Sequence, residues 1–250
     1  MRIPSLKDRW IDQPALGCWL FLREPLTAEA AARIGYDYVC IDLQHGYASQ
    51  VDALAMIQAA AGAGSIPAVR VASNDPNLIG KSLDAGALAI IVPMVNTAED
   101  AAKAVSACRY APVGTRSFGA LAAMDRYSGD FVPQSNAAVA CIPMIETAQA
   151  LENLEEILSV PGVDAIYVGP VDLSLTLGLP PATDHDDQRF QDAISKIVDA
   201  CNRHNVVAGI HADASLAKKW TDAGFKMITV GYDRTPMLAG MKADLAKARA

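Results

Sequence analysis

Polar residues at the ends of short apolar runs carry the chemical information in this sequence. Asp42 closes DYVCID (37–42) and His45 follows it, Arg70 lies in IPAVRV (66–71), Glu146 closes AAVACIPMIE (137–146), Asp172 follows DAIYVG (164–169), and His211 closes VVAGIH (206–211). Two carboxylates from successive apolar runs, Glu146 and Asp172, suit a hard divalent cation, Mg2+ or Mn2+, with open positions for water or substrate. The alternative is that each is an ordinary residue of a helix N-terminus. Arg70 offers a permanently charged planar fork that matches the carboxylate and carbonyl oxygens of a 2-oxo acid, or else an internal ion pair with Asp42 or Glu146. His45 is a candidate general acid or base. Gly169-Pro170-Val171-Asp172 opens a helix whose backbone N–H groups suit a carboxylate, with a tight strand-to-helix turn as the simpler reading.

These residues need a scaffold that gathers strand ends. Eight apolar runs, at 17–22, 37–42, 66–71, 88–93, 137–146, 164–169, 206–211 and 227–231, alternate with segments at helical spacing, at 27–34, 50–63, 76–85, 97–109, 147–158, 187–203, 213–223 and 234–248. Eight βα units without a composition break predict an α/β fold, a single (β/α)8 TIM barrel spanning 1–250. In that fold the C-terminal strand ends form the active site, where unpaired charges would lose hydration without a ligand. Thr97 with Asp100 reads as a capping box, and Thr27, Asp213 and Asp233 as N-caps. The stretch 110–135 is predicted to be a long functional loop, and 178–189 a second.

Composition excludes several classes. Of 250 residues, 52% are hydrophobic, and 21 Lys and Arg stand against 28 Asp and Glu, scattered without a basic run, so neither a disordered chain nor a nucleic-acid partner is expected. No apolar stretch reaches the roughly 18 residues that span a bilayer and no secretory h-region opens the chain, so a cytoplasmic protein without a membrane partner is expected. Five cysteines without CxxC spacing read as buried free thiols. No strand is followed by GxGxxG or GxxxxGK[ST], no GxSxG elbow occurs, and no lysine stands at a strand end where a Schiff base would form.

The stretches GCWLFL, IDLQHG (41–46), PAVRV (67–71), LDAGALAIIVPMVNTAEDAAKAV (83–105), RYAPVGTRSFG (109–119), PMIET (143–147) and VDAIYVGPVDLSLTLG (163–178) together resemble the HpcH/HpaI aldolase family. The resemblance covers nearly the whole chain. It implies a metal-dependent class II pyruvate aldolase that splits 4-hydroxy-2-oxo acids to pyruvate, or a close analogue such as hydroxypyruvate, and an aldehyde, in aromatic or sugar acid catabolism. It assigns the divalent ion (Mg2+, Mn2+ or Co2+) to Glu146 and Asp172, acid–base work to His45 with Asp42, and the 2-oxo acid to Arg70 and the backbone of Gly169, Pro170, Val171 and Asp172. Trp19 and His211 join the substrate-binding set. Asp84 matches an acid that approaches a neighbouring subunit's site in a homo-hexamer, a trimer of dimers, whose C-terminal helix is exchanged between subunits. Three positions depart from the family: Gln44 where Glu is common, Met144 where a polar residue is common, and His211 where an apolar residue lines the expected place of the aldehyde. The competing readings are an acyl-CoA lyase of the citrate-lyase type, for which no basic patch for a CoA phosphate is evident, and a relative silenced by Gln44.

Overall fold

The computed structural model describes residues 2–250. Among these, eight parallel strands close a barrel in sequence order: β1 (Ala15–Leu20), β2 (Tyr38–Asp42), β3 (Ile66–Arg70), β4 (Ala89–Val92), β5 (Ala140–Ile145), β6 (Ala165–Val168), β7 (Val207–His211) and β8 (Met227–Tyr232), with β8 pairing back onto β1. The predicted (β/α)8 fold is the observed one. The connecting helices are α1 (Pro25–Ile34), α2 (Gln50–Gly62), α3 (Pro76–Asp84), α4 (Ala98–Cys108), α5 (Leu121–Arg126), α6 (Phe131–Ala138), α7 (Ala148–Glu152), α8 (Leu154–Leu158), α9 (Pro170–Thr176), α10 (Gln188–His204), α11 (Ala217–Asp222) and α12 (Arg234–Arg249).

Local chemistry explains most boundaries. The Thr97–Asp100 box opens α4, and Gly35 and Asn205 end α1 and α10 in the left-handed conformation. Asp233 caps α12 and also accepts from the backbone N–H groups of Phe21 and Leu22 at 3.0 and 2.9 Å, tying the loop after β1 to that helix. Thr27 is not a cap: Pro25 fits the first helical position, so Glu24 caps α1 by accepting from Leu26 N at 3.1 Å. Asp213 is not one either, because its side chain folds back onto Ser215, at 2.8 Å to the backbone N, and α11 begins at Ala217.

The expected long loop at 110–135 instead holds α5 and most of α6, packed through Tyr110, Ala123, Tyr127 and Phe131. The run at 137–146 is shared, its first two alanines closing α6 before β5 begins. One apolar layer lies between strands and helices; a second fills the barrel, with Ile3, Leu6 and Trp10 beside the strand starts. All five cysteines are buried free thiols, as expected. Helix α12 buries none of its residues, and Met237, Met241 and Leu245, four apart, are exposed on it. No helix among the described residues is long and apolar enough to cross a membrane.

Candidate active site

The strand ends converge on a cavity of about 340 Å³ lined by Trp19, Phe21, His45, Arg70, Met144, Glu146, Gly169, Pro170, Val171, Asp172 and His211. Every residue anticipated for the site is there except Asp42 and Asp84. Two surface hollows elsewhere are about as large, so volume does not single this cavity out; the convergence of buried charge does.

Asp42 lies directly behind the wall, fully buried, and accepts five hydrogen bonds. Arg70 grips it in fork geometry, Nε to Oδ1 at 2.9 Å and Nη2 to Oδ2 at 2.5 Å; Trp19 Nε1 donates to Oδ2 at 3.2 Å, and the backbone N–H groups of Gln44 and His45 donate to Oδ1 at 3.0 and 3.2 Å. Burial alone would push the Asp42 carboxyl up, but the Arg70 guanidinium, with Trp19 and the His45 backbone, holds it below the ordinary carboxylate range. Asp42 therefore meets His45 through the backbone, with its oxygens committed elsewhere. The expected acid–base partnership with the His45 ring becomes a positioning role for Arg70, whose guanidinium also lies over Trp19 at 5.1 Å. The His45 side chain is exposed at the cavity mouth.

Glu146 is 2% exposed, and its Oε1 accepts from Met94 N at 2.7 Å. Met94, on the loop after β4, holds a left-handed backbone (φ 55°), a conformation costly for a residue with a side chain, and it aims that N–H at the carboxylate. Burial pushes the Glu146 carboxyl up and the charge of Asp172 adds to this, with Met94 N and Arg70 offsetting part. A buried carboxylate beside a second one inside a cleft fits a divalent cation: hard oxygen donors, one of them pre-oriented, and no lysine on the wall to neutralise them. Gly169 makes the approach possible, since a Cβ there would sit 2.5 Å from Glu146 Oε2. Its backbone φ of −94° would accept alanine, so Gly169→Ala crowds Glu146 Oε2 foremost, with Glu146 Cβ and Met144 Cε next at 3.0 Å. The expected result is a 10–100-fold weaker Mg2+ affinity by calorimetric titration, on the scale of a lost ligand-orienting contact.

The backbone of the Gly169–Asp172 turn is narrower in use than the sequence implied. Gly169 N donates to Ile145 O at 3.4 Å and Pro170 has no N–H, which leaves the groups of Val171 and Asp172 at the start of α9 for an anion. Asp84, at the end of α3, is outside the cavity of its own chain and accepts from Arg116 Nη2 at 3.0 Å. Gln44 has a buried Oε1 with no partner among the described residues, and it does not line the cavity. Sequence reasoning missed Phe21, two positions before the loop residue Arg23, and Met94, whose positive φ leaves no mark on a non-glycine residue.

The sequence model of the HpcH/HpaI aldolase/citrate lyase family matches residues 15–239. The chain is 39% identical over 239 residues to a hydroxypyruvate/pyruvate aldolase of Rhizorhabdus wittichii, covering 95% of each chain, and 38% identical over 240 residues to a 4-hydroxy-2-oxo-heptane-1,7-dioate aldolase of Klebsiella pneumoniae, covering 94% of this chain and 89% of that one. In structure it is similar to a HpcH/HpaI aldolase/citrate lyase family protein from Burkholderia cenocepacia, with a TM-score of 0.88, 34% identity and coverage of 98% and 99%.

Proposed function

This chain belongs to the HpcH/HpaI aldolase/citrate lyase family, and from that footing we propose how its cavity carries out a reversible aldol reaction. The protein is a carbon–carbon lyase of the aldolase type, splitting 4-hydroxy-2-oxo acids to pyruvate, or a close 2-oxo acid such as hydroxypyruvate, and an aldehyde. The observation that carries the reading is Arg70, a buried guanidinium fixed by Asp42 on the wall that also bears Glu146 and Asp172.

Glu146 and Asp172 would hold the divalent ion, Mg2+, Mn2+ or Co2+, which supplies Lewis-acid polarisation of the 2-oxo group when bound. Arg70 has five N–H donors and spends two on Asp42, so the remainder bind the 2-oxo acid and stabilise negative charge on its oxygen as the C3–C4 bond breaks. The N–H groups of Val171 and Asp172 receive the carboxylate at the start of α9. His45, at the mouth, takes the proton from the 4-hydroxyl in cleavage and returns it in addition. Trp19, stacked on Tyr167 with centroids 5.4 Å apart, forms a rigid apolar wall that excludes water.

The assembly in this reading is a homo-hexamer, a trimer of dimers, with α12 exchanged between subunits; a helix with no buried residue and its exposed stripe of Met237, Met241 and Leu245 support that. Asp84 would then approach a neighbouring subunit's cavity. The protein would act in the cytoplasm, in aromatic or sugar acid breakdown.

Enolisation of the nucleophile tests the core of the proposal without knowledge of the aldehyde. In D2O, metal-stripped protein should leave the pyruvate methyl proton signal intact, and added Mg2+ should cause its loss by deuterium exchange. Absence of exchange with Mg2+, Mn2+ and Co2+ alike would overturn the pyruvate-nucleophile reading.

A further inference from the structure

Beneath the cavity a chain of three hydroxyls crosses the barrel interior and ends on His211. The Tyr38 hydroxyl lies 3.0 Å from Thr229 Oγ1, Thr229 Oγ1 lies 2.5 Å from the Tyr167 hydroxyl, and that hydroxyl lies 3.4 Å from His211 Nδ1. The barrel is shaped around this chain. Gly17 and Gly209 are the register partners of Tyr38 and Tyr167, and a Cβ on them would stand 2.0 Å from Tyr38 Cζ and 2.9 Å from Tyr167 Cδ2. Glycine weakens a strand interior, so two of them facing two tyrosines mark space reserved for those rings.

The proton order follows from satisfying buried donors. With Tyr38 donating to Thr229, Thr229 to Tyr167 and Tyr167 to His211 Nδ1, every hydroxyl proton has an acceptor. In the opposite order Tyr38 can turn its proton only back toward the Tyr167 hydroxyl, which then gives its own proton to Thr229 and also receives one from His211. Burial pushes both phenols up, so both stay protonated at any working pH. An Nδ1 that accepts carries no proton, so the neutral imidazole bears its proton on Nε2. The ring is neutral in use, because burial, with the charge of Arg70, pushes its pKa down to about 4 while Asp42 offsets only part. Trp19 (centroids 4.8 Å) and Tyr232 (5.4 Å) clamp it edge-on, and Nε2 has no partner among the described residues on a side chain that lines the cavity.

We propose that Tyr167, backed by Thr229 and Tyr38, is a positioning residue that holds His211 as an Nε2–H donor, and that this donor selects substrates with an uncharged hydroxyl near the reacting carbons. The hydroxyl sits either on the aldehyde or on C3 of the 2-oxo acid. A neutral imidazole offers no charge to a carboxylate in that place, and a site built to bond a hydroxyl discriminates against the analogue lacking it. The inference rests on the aldolase reading above.

The test measures kcat/KM in the direction of addition for pyruvate and hydroxypyruvate, each with glycolaldehyde and with propionaldehyde, and compares hydroxyl-to-deoxy ratios between variants so that intrinsic reactivity cancels. His211→Leu should lower the ratio about tenfold in one arm, which identifies the substrate that carries the hydroxyl. His211→Gln, which keeps a neutral donor near Nε2, should hold it within about threefold of wild type. Tyr167→Phe removes one oxygen, is nearly isosteric, and should lower the ratio several-fold; it carries the test if His211→Leu folds poorly. Ratios unmoved by His211→Leu and Tyr167→Phe in both arms would overturn the inference and leave the aldolase reading standing. Turnover of none of the four pairs by wild type would overturn both.

Discussion

Glu146→Gln and Asp172→Asn, made separately, will each cost at least about 10³-fold in Mg2+-dependent pyruvate exchange, roughly 4 kcal/mol of barrier, while the metal-free variants melt no lower than metal-free wild type. The two halves of the expectation come from one geometry. Glu146 is buried beside a second carboxylate, and both burial and the charge of Asp172 raise its proton affinity. In the absence of a cation that arrangement is a strain on the fold, and a neutral amide of the same shape relieves it. Gln at 146 can still accept from Met94 N, so the loop after β4 keeps its anchor. A carboxylate retained only to orient a helix would give the reverse result, with lower melting temperature and little change in rate. Exchange kinetics across a Mg2+ series, with thermal melts in chelator, check both halves. Rates within tenfold of wild type in either variant would remove that residue from the cation site.

The contrast between Glu146 and Met94 shows what could be read in advance. Glu146 was legible because a charge closing an apolar run falls, in a barrel, at the C-terminal strand ends where active sites are built, and β5 is such a run. Asp42, Arg70 and His211 were legible for the same reason, and the Asp42–Arg70 fork follows from their register pairing across β2 and β3. Met94 was not, since its contribution is a backbone N–H presented by a left-handed φ, and nothing in the side-chain type signals that. The turn at Gly169 was found, but which of its N–H groups are free depends on the carbonyl of Ile145, a contact set by how β5 and β6 stagger. The segment 110–135 misled because Gly and Pro there punctuate short helices, and the burial of Tyr110, Tyr127 and Phe131 in and around them reveals itself only in packing. The hydroxyl chain under His211 joins residues from β2, β6, β7 and β8 and has no local pattern at all.

Arg70→Lys is expected to lower kcat by about 10²–10³-fold with little loss of stability, and Arg70→Ala to lose activity to the same extent or more and about 3–5 kcal/mol of stability besides. Lysine keeps a positive charge near Asp42 but cannot bond it in two places and still present donors to the substrate, so the rate falls while the charge balance holds. Alanine leaves Asp42 buried without its counter-charge, and this sets a distinctive pH dependence. In wild type the Asp42 pKa is depressed, so its contribution is present above the unfolded value near 3.8 and is lost as pH falls through the folded one. Without Arg70 burial dominates and the folded pKa rises above the unfolded value. The sign reverses: the variant gains stability as pH falls through its folded pKa and loses it as pH rises. Arg70→Ala should therefore melt closer to wild type at pH 5 than at pH 8, and adding Asp42→Asn should recover part of the melting temperature at pH 8 while restoring none of the rate. That separation matters because Arg70 is asked to do two things, to neutralise Asp42 and to receive charge from the substrate, and only the first can be supplied by removing the acid. Wild-type kcat in Arg70→Lys, or recovery of rate in the double variant, would mean that the guanidinium serves the fold alone.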